Sequence, residues 1–131
     1  MKVHHIGYFV NDIEEAKKNF QKLGWKDVSP CFFDESRKIF IQFMEMDNKL
    51  VELISPGEGC TLFPKRLRDL GSTPYHICYE CENLDVKISE LKQENFMLIR
   101  EPQIAPAIEN RRVAFLYATG VGQIELLEKG D

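Results

Sequence analysis

The chain has 131 residues and a formal net charge of −4, with 44% hydrophobic and 29% charged residues. This length suffices for one soluble globular domain, and the interspersed charges give no basic field for a nucleic-acid backbone. No apolar run approaches the roughly 20 residues of a bilayer span, so neither nucleic acid nor a membrane is an expected partner. The N-terminal residues lack the apolar segment of a secretory signal, which predicts a cytoplasmic protein.

The first half of the chain predicts a strand, a helix and three further strands. Residues 3–10, VHHIGYFV, have the β-branched and aromatic composition of a strand. Apolar residues then recur at helical spacing from Ile13 to Leu23, after Asn11 or Asp12 as the N-cap. The remaining strands of this half are predicted, between turn signals, at 26–33, 38–46 and 49–54.

The second half repeats this order of elements. Shifting the chain by 71 positions places His5 on His76, and a shift of 73 places Glu52 on Glu125. A segment with Pro, Gly and Ser near its ends separates the halves and is predicted to contain a short helix at 64–70. The chain is therefore predicted to be a single α+β domain, 1–131, of two tandem βαβββ modules. The modules are placed at about 1–56 and 74–131, with the linker at about 57–73.

Each predicted module has one histidine and one glutamate that point away from its apolar face. Alternate residues of a strand share a face, so His5 and His76 each point away from the isoleucine that follows. Glu52 and Glu125 likewise point away from the apolar residues beside them. We expect the apolar faces to pack under the helices, and the polar residues to lie on the opposite, concave side. Gly7 would leave room for a ligand on that side.

Two imidazoles and two carboxylates at duplicated positions form a suitable donor set for a divalent transition metal. The residues predicted to bind one ion are His5, Glu52, His76 and Glu125. The ligand types leave Co, Ni, Zn and Mn open as the metal. A single strand histidine or glutamate more often has a structural role, so this prediction depends on the duplication.

These features resemble the vicinal oxygen chelate superfamily, which includes glyoxalases, bleomycin resistance proteins and dioxygenases. The resemblance is carried by HHIGYFV and YHICYEC, by LVELISP and GQIELLE, and by EPQIAP and VAFLYA. In order and spacing the chain is most similar to the methylmalonyl-CoA epimerases, and next to glyoxalase I, the lactoylglutathione lyases. The resemblance implies a curled mixed sheet around a central metal cleft, with the same four ligands. Open sheet edges also favour a homodimer.

Both families imply a metal-dependent isomerase or lyase that removes a proton next to a metal-bound carbonyl group. Glu52 and Glu125 would be the catalytic bases. An epimerase returns the proton to the other face of the same carbon, whereas glyoxalase I returns it to the adjacent carbon. The expected substrate is a small thioester or a glutathione adduct. Arg111 and Arg112 are the candidates for binding its anionic groups.

Other features keep alternatives open. Residues 117–119, Tyr-Ala-Thr, stand where epimerases usually have a His-Pro-Lys run, and APAIENRR replaces their glycine-rich loop. The Asp-Pro-Asp-Gly turn common in glyoxalases is also missing before the last strand. An iron-dependent ring-cleaving dioxygenase would use two histidines and one carboxylate, so the second glutamate argues against it. A metal-free drug-binding protein would need none of the four predicted ligands.

Overall fold

The computed structural model describes all 131 residues. It contains nine β-strands, three α-helices and one short 3₁₀ helix, which confirms the predicted α+β class. No α-helix in the chain combines the length and the apolar character that crossing a bilayer requires. The chain forms two compact units, which we call the first unit (His5–Tyr75) and the second unit (Met1–His4 with His76–Asp131).

The first unit contains a mixed sheet with its helix α1 following the first strand. Strand β1 runs parallel to β5, whereas β4 is antiparallel to β5 and to the two short strands β2 and β3. The first three residues of β1 belong to the second unit. The elements are β1 (Lys2–Phe9), α1 (Ile13–Lys22), β2 (Lys26–Asp27), β3 (Phe32–Asp34), β4 (Ile39–Met46), β5 (Lys49–Pro56) and α2 (Lys65–Leu70).

The single strand predicted at 26–33 is wrong, because the structure divides this segment into β2 and β3. Pro30 lies in the gap between these two strands. Proline has no backbone N–H to donate to a strand ladder, so pairing with β4 stops there and resumes at Phe32.

The second unit repeats the βαβββ order. Its strands pair in the order β6, β9, β8, β7, with β6 parallel to β9 and the other pairs antiparallel. The register is also repeated, since Gly7 is opposite Glu52 in the first unit and Cys78 is opposite Glu125 in the second. The elements are β6 (Thr73–Cys81), α3 (Leu84–Gln93), β7 (Met97–Ala105), β8 (Arg111–Ala118) and β9 (Gly122–Glu128). The first three residues of β6 belong to the first unit.

Equivalent caps begin the long helices of the two units. The Asp12 side chain accepts a hydrogen bond from the Glu15 amide at 3.1 Å, and the Asn83 side chain accepts one from the Val86 amide at 3.0 Å. Each bond satisfies one of the amides that the first helical turn leaves without a partner. Of the two N-caps predicted for α1, Asp12 is therefore the one used.

Each unit packs its long helix on the sheet face opposite its histidine. The cluster beside α1 includes Tyr8 and Val10 but not Ile6, which is 44% exposed. Ile77 of β6 is likewise 39% exposed. The prediction that these isoleucines pack under the helices is wrong, because neither belongs to the cluster beside its helix. The second cluster is formed mainly by Leu84, Ile88, Leu116, Ile124 and Leu126.

The turn between β3 and β4 is built around the buried side chain of Asp34. Its Oδ1 accepts hydrogen bonds from the Ser36 amide and hydroxyl and from the Arg37 amide at 2.9–3.1 Å. Its Oδ2 accepts from the Arg37 guanidinium at 2.8–2.9 Å. Asp34→Ala is therefore expected to lower the free energy of unfolding by about 2–4 kcal/mol, measured by urea unfolding. Asp69→Ala, which removes only an exposed ion pair, should change it by less than about 1 kcal/mol.

The same turn makes stability depend on acidic pH. Burial disfavours the charged form of Asp34, but hydrogen bonds from Arg37 and Ser36 outweigh it and hold the pKa of Asp34 below its usual value. A carboxyl whose pKa is lower in the folded than in the unfolded chain stabilises the fold above its unfolded pKa of about 3.9. That contribution is lost as pH falls through the folded pKa. The stability difference between wild type and Asp34→Ala should thus shrink below about pH 4; a constant difference would contradict this account.

Candidate metal centre

In the first unit, His5 and Glu52 form a buried pair on the sheet face away from α1. His5 Nε2 lies 3.2 Å from Glu52 Oε1, and the two side chains are 0% and 6% exposed. Phe43 is directly opposite Glu52 on the neighbouring strand, and its ring meets the His5 imidazole edge-on with 5.4 Å between centroids. Polar groups in such surroundings are unfavourable unless they bind a partner, so the two side chains are expected to act together.

The second unit contains the same arrangement. His76 Nε2 lies 3.1 Å from Glu125 Oε1, and the side chains are 1% and 4% exposed. Phe115 is directly opposite Glu125, and its ring meets the His76 imidazole edge-on with 5.7 Å between centroids. Within each unit the structure therefore brings the predicted histidine and glutamate together. The repeat includes their contacts as well as their positions.

A repeated phenylalanine next to each pair was missed by sequence reasoning. Phe43 and Phe115 are 72 positions apart, between the offsets of 71 and 73 that relate the histidines and the glutamates. Applying the duplication to β4 and β8 would have found them. Each ring contacts its imidazole in a T-shaped arrangement, which restricts the orientation of the histidine.

The geometry of each pair fits two ligands of one divalent ion. Nitrogen and oxygen ligands lie about 2.0–2.2 Å from zinc, so two of them are about 3.0 Å apart at a right angle and about 3.4 Å apart at the tetrahedral angle. The observed separations of 3.2 and 3.1 Å fall between these values. An imidazole and a carboxylate are also suitable donor types for Co, Ni, Zn and Mn. Each unit can therefore supply two donors.

The two arginines predicted to bind substrate are engaged by carboxylates of the second unit. The Arg111 guanidinium pairs with Glu80, and its Nε donates to the Glu128 carbonyl at 2.8 Å. This guanidinium lowers the pKa of Glu80. Arg112 pairs with Asp85 at 2.8 Å and with Glu128 at 3.4 Å. The role of these arginines in substrate binding stays a prediction, since an anionic substrate would compete with these carboxylates.

Comparison with known proteins identifies the family. Residues 4–115 match the profile of the Glyoxalase/Bleomycin resistance protein/Dioxygenase superfamily. The chain belongs to this superfamily. The match includes three of the four predicted ligands, His5, Glu52 and His76. The fourth, Glu125, lies beyond residue 115. The resemblance drawn from the strand motifs is thus confirmed.

Several similar proteins are methylmalonyl-CoA epimerases. The mitochondrial epimerase of Bos taurus is 20% identical over 124 residues, which cover 94% of this chain and 70% of the relative. The crystal structure of the Mycobacterium tuberculosis epimerase has a TM-score of 0.84 at 20% identity and covers 99% of this chain and 89% of that one. A variant epimerase of Streptomyces coelicolor in complex with 2-nitronate-propionyl-CoA has a TM-score of 0.83 at 15% identity, covering 100% and 99%. At such identities the structural likeness shows a shared fold.

Proposed function

We propose that the protein is a metal-dependent isomerase that moves a proton at the carbon next to a thioester carbonyl group, as a methylmalonyl-CoA epimerase does. The observation that carries the proposal is the pair of equivalent, buried His–Glu arrangements, one in each unit. Support also comes from the mitochondrial epimerases of Bos taurus and Homo sapiens, each 20% identical over 94% of this chain. The Streptomyces coelicolor epimerase, similar in fold, is seen in complex with an acyl-CoA compound.

We further propose that the two units act as one domain and that both pairs bind the same divalent ion. The ligands would be His5, Glu52, His76 and Glu125. The repeated register and the near-ligand separation of each pair support this assignment. When bound, the ion would polarise the thioester carbonyl and stabilise the negative charge that develops as the neighbouring carbon loses its proton. Co, Ni, Zn and Mn all suit these ligands.

Inversion at one carbon requires two groups that handle the proton on opposite faces, and the duplicated glutamates supply them. At least one glutamate would leave the metal, or bind it weakly, in order to act on the proton. One of Glu52 and Glu125 accepts the proton as the C–H bond breaks, so that an O–H bond forms on its carboxylate. The other, protonated beforehand and therefore released from the metal, donates its proton to the opposite face of the carbon. His5 and His76 hold the metal and orient the glutamates, while the neighbouring phenylalanines restrict the orientation of the histidines.

Glyoxalase I is the second candidate function. The observation that favours it is the presence of a glutamate in both pairs, because bacterial glyoxalase I has the same His, Glu, His, Glu ligand order. The same carboxylates would then move a proton between adjacent carbons of a methylglyoxal–glutathione hemithioacetal. The substrate, and not the ligand set, distinguishes the two activities.

We also propose that the protein is a cytoplasmic homodimer. Support for the dimer comes from strand β7, which pairs with β8 on one side and ends the strand order of the second unit. An unpaired strand edge is a common surface for association with a second chain. Light scattering of the purified protein tests this, since a mass of one 15.2 kDa chain would contradict it.

Proton exchange in heavy water tests the proposed function directly. The protein is loaded with Co, Ni, Zn or Mn in turn and offered methylmalonyl-CoA or the methylglyoxal–glutathione hemithioacetal. We expect NMR to show deuterium entering methylmalonyl-CoA together with inversion of its chiral carbon. Lactoylglutathione formation without exchange into methylmalonyl-CoA would favour the second candidate. Absence of both reactions with all four metals would overturn the proposal.

A further inference from the structure

Arg100 of β7 belongs to the sheet face of the second unit that carries His76 and Glu125. Its Cα is directly opposite that of Phe115, and Phe115 is directly opposite Glu125. Directly opposite residues on neighbouring strands share a face, so these three residues form one row across β7, β8 and β9. Neighbouring strands are about 4.8 Å apart, which puts the backbones of Arg100 and Glu125 roughly 10 Å apart.

Strand β7 is irregular on both sides of Arg100. The register with β8 shifts between Leu98 and Arg100 and again between Arg100 and Gln103. Each shift adds one residue to β7 relative to its partner strand. Such bulges change the direction in which side chains point, and they are frequent next to active sites. The first shift places Arg100, rather than the 49% exposed Ile99, opposite Phe115.

Arg100 also differs from the two arginines of the neighbouring strand. Arg111 and Arg112 form ion pairs with carboxylates of their own unit, whereas no carboxylate lies within ion-pair distance of Arg100. Arg100 is nevertheless half-buried. A partly buried guanidinium without a counter-ion loses hydration without a compensating bond. Its planar set of donors matches a carboxylate or a phosphate in two parallel hydrogen bonds.

We propose that Arg100 binds an anionic group of the substrate, namely the free carboxylate of a dicarboxylic acyl thioester. This inference rests on the proposed function and specifies the substrate class. A carboxylate attached to the reacting carbon lies close to the proton that Glu125 handles, and Arg100 is in the same row as Glu125. A phosphate of the thiol carrier has the same chemistry, so the experiments separate these two sources.

Anion binding tests the inference without any need for turnover. Malonate and inorganic phosphate are titrated into metal-loaded wild type, Arg100→Ala and Arg66→Ala, with calorimetry and NMR of the ¹⁵N-labelled arginine side chains. Arg66 is an exposed arginine of α2 and gives the matched control. We expect Arg100→Ala to bind malonate roughly ten- to a hundredfold more weakly than wild type does, and Arg66→Ala to bind it with wild-type affinity. Equal malonate binding by wild type and Arg100→Ala would overturn the inference, whether or not the enzyme turns over methylmalonyl-CoA.

Kinetics with two carriers locates the anion. Methylmalonyl-CoA is compared with methylmalonyl-N-acetylcysteamine, which keeps the carboxylate and lacks the phosphates. We expect Arg100→Ala to raise KM by a similar factor for both substrates, with a smaller effect on kcat, because it removes a binding contact. An increase confined to the CoA substrate would overturn the carboxylate assignment and point to a phosphate. No increase with either substrate would overturn the role of Arg100 in substrate binding.

Discussion

Proton exchange in the substrate enantiomer that Glu125 deprotonates is expected to fall by roughly 10²- to 10⁴-fold in Glu125→Gln, the range that a positioned acid–base group contributes. Glutamine has nearly the shape of glutamate and keeps one carbonyl oxygen near His76, whose Nε2 lies 3.1 Å from the carboxylate. It cannot accept the proton. The variant should therefore retain much of its metal, measured by elemental analysis, while losing exchange in that enantiomer, measured by NMR in heavy water.

Glu52→Gln and Glu125→Gln are expected to differ in the substrate enantiomer in which proton exchange persists. If each serves one face of the carbon, a chain that retains only Glu52 or only Glu125 can still exchange the proton on its own face. Inversion requires both groups. Glu52→Gln and Glu125→Gln should thus each abolish inversion while leaving slow exchange into opposite enantiomers of the substrate. Glu45→Gln, an exposed change on β4, is the control and should keep full activity. If either single variant inverted the substrate at the wild-type rate, the glutamate it replaces could not be one of the two bases.

The duplication explains why much of the fold and of the site could be predicted. His5 and His76 are each the fourth residue of their strands, β1 and β6, and the caps Asp12 and Asn83 are related by the same shift of 71 positions. A pattern that occurs twice is less ambiguous than one that occurs once, because chance matches rarely share an offset. The apolar alternation of each strand then determines which residues share a face. These local rules suffice for the contents of each unit.

Features that depend on breaks in these patterns were not predictable. Simple alternation in LIREPQIA gives no sign of the first bulge, which places Arg100 opposite Phe115. Only the second irregularity has a local signal, Pro102, which lies between Arg100 and Gln103 and cannot donate a backbone hydrogen bond. Sequence reasoning instead selected Arg111 and Arg112, whose carboxylate partners come from distant parts of the chain. The exposure of Ile77 was also not predictable, because the position of α3 on the sheet decides which apolar residues the helix buries. Tertiary contacts, rather than local composition, decide each of these cases.

Metal binding by the histidine variants is expected to decide whether the two pairs share an ion. Wild type should bind one divalent ion per chain. His5→Ala and His76→Ala should each lower the affinity for that ion by more than about 100-fold, which exceeds the effect of losing a residue that only supports a ligand. His4→Ala, a change of the neighbouring histidine, should keep normal affinity. Calorimetry with Zn, Ni, Co and Mn gives the stoichiometry and affinity directly.

The stability of the same variants gives an independent reading, because an ion that binds only the folded chain stabilises it. At a metal concentration of 100 times Kd, the ion adds about 2.7 kcal/mol to the free energy of unfolding. His5→Ala and His76→Ala should each lose nearly this whole increment, and the double variant should lose little more, since all three lack the same ion. Two ions per wild-type chain, with one retained in each single variant, would instead show that each His–Glu pair binds its own metal. That outcome would remove the basis for a shared catalytic centre and would require each unit to be assigned a separate role.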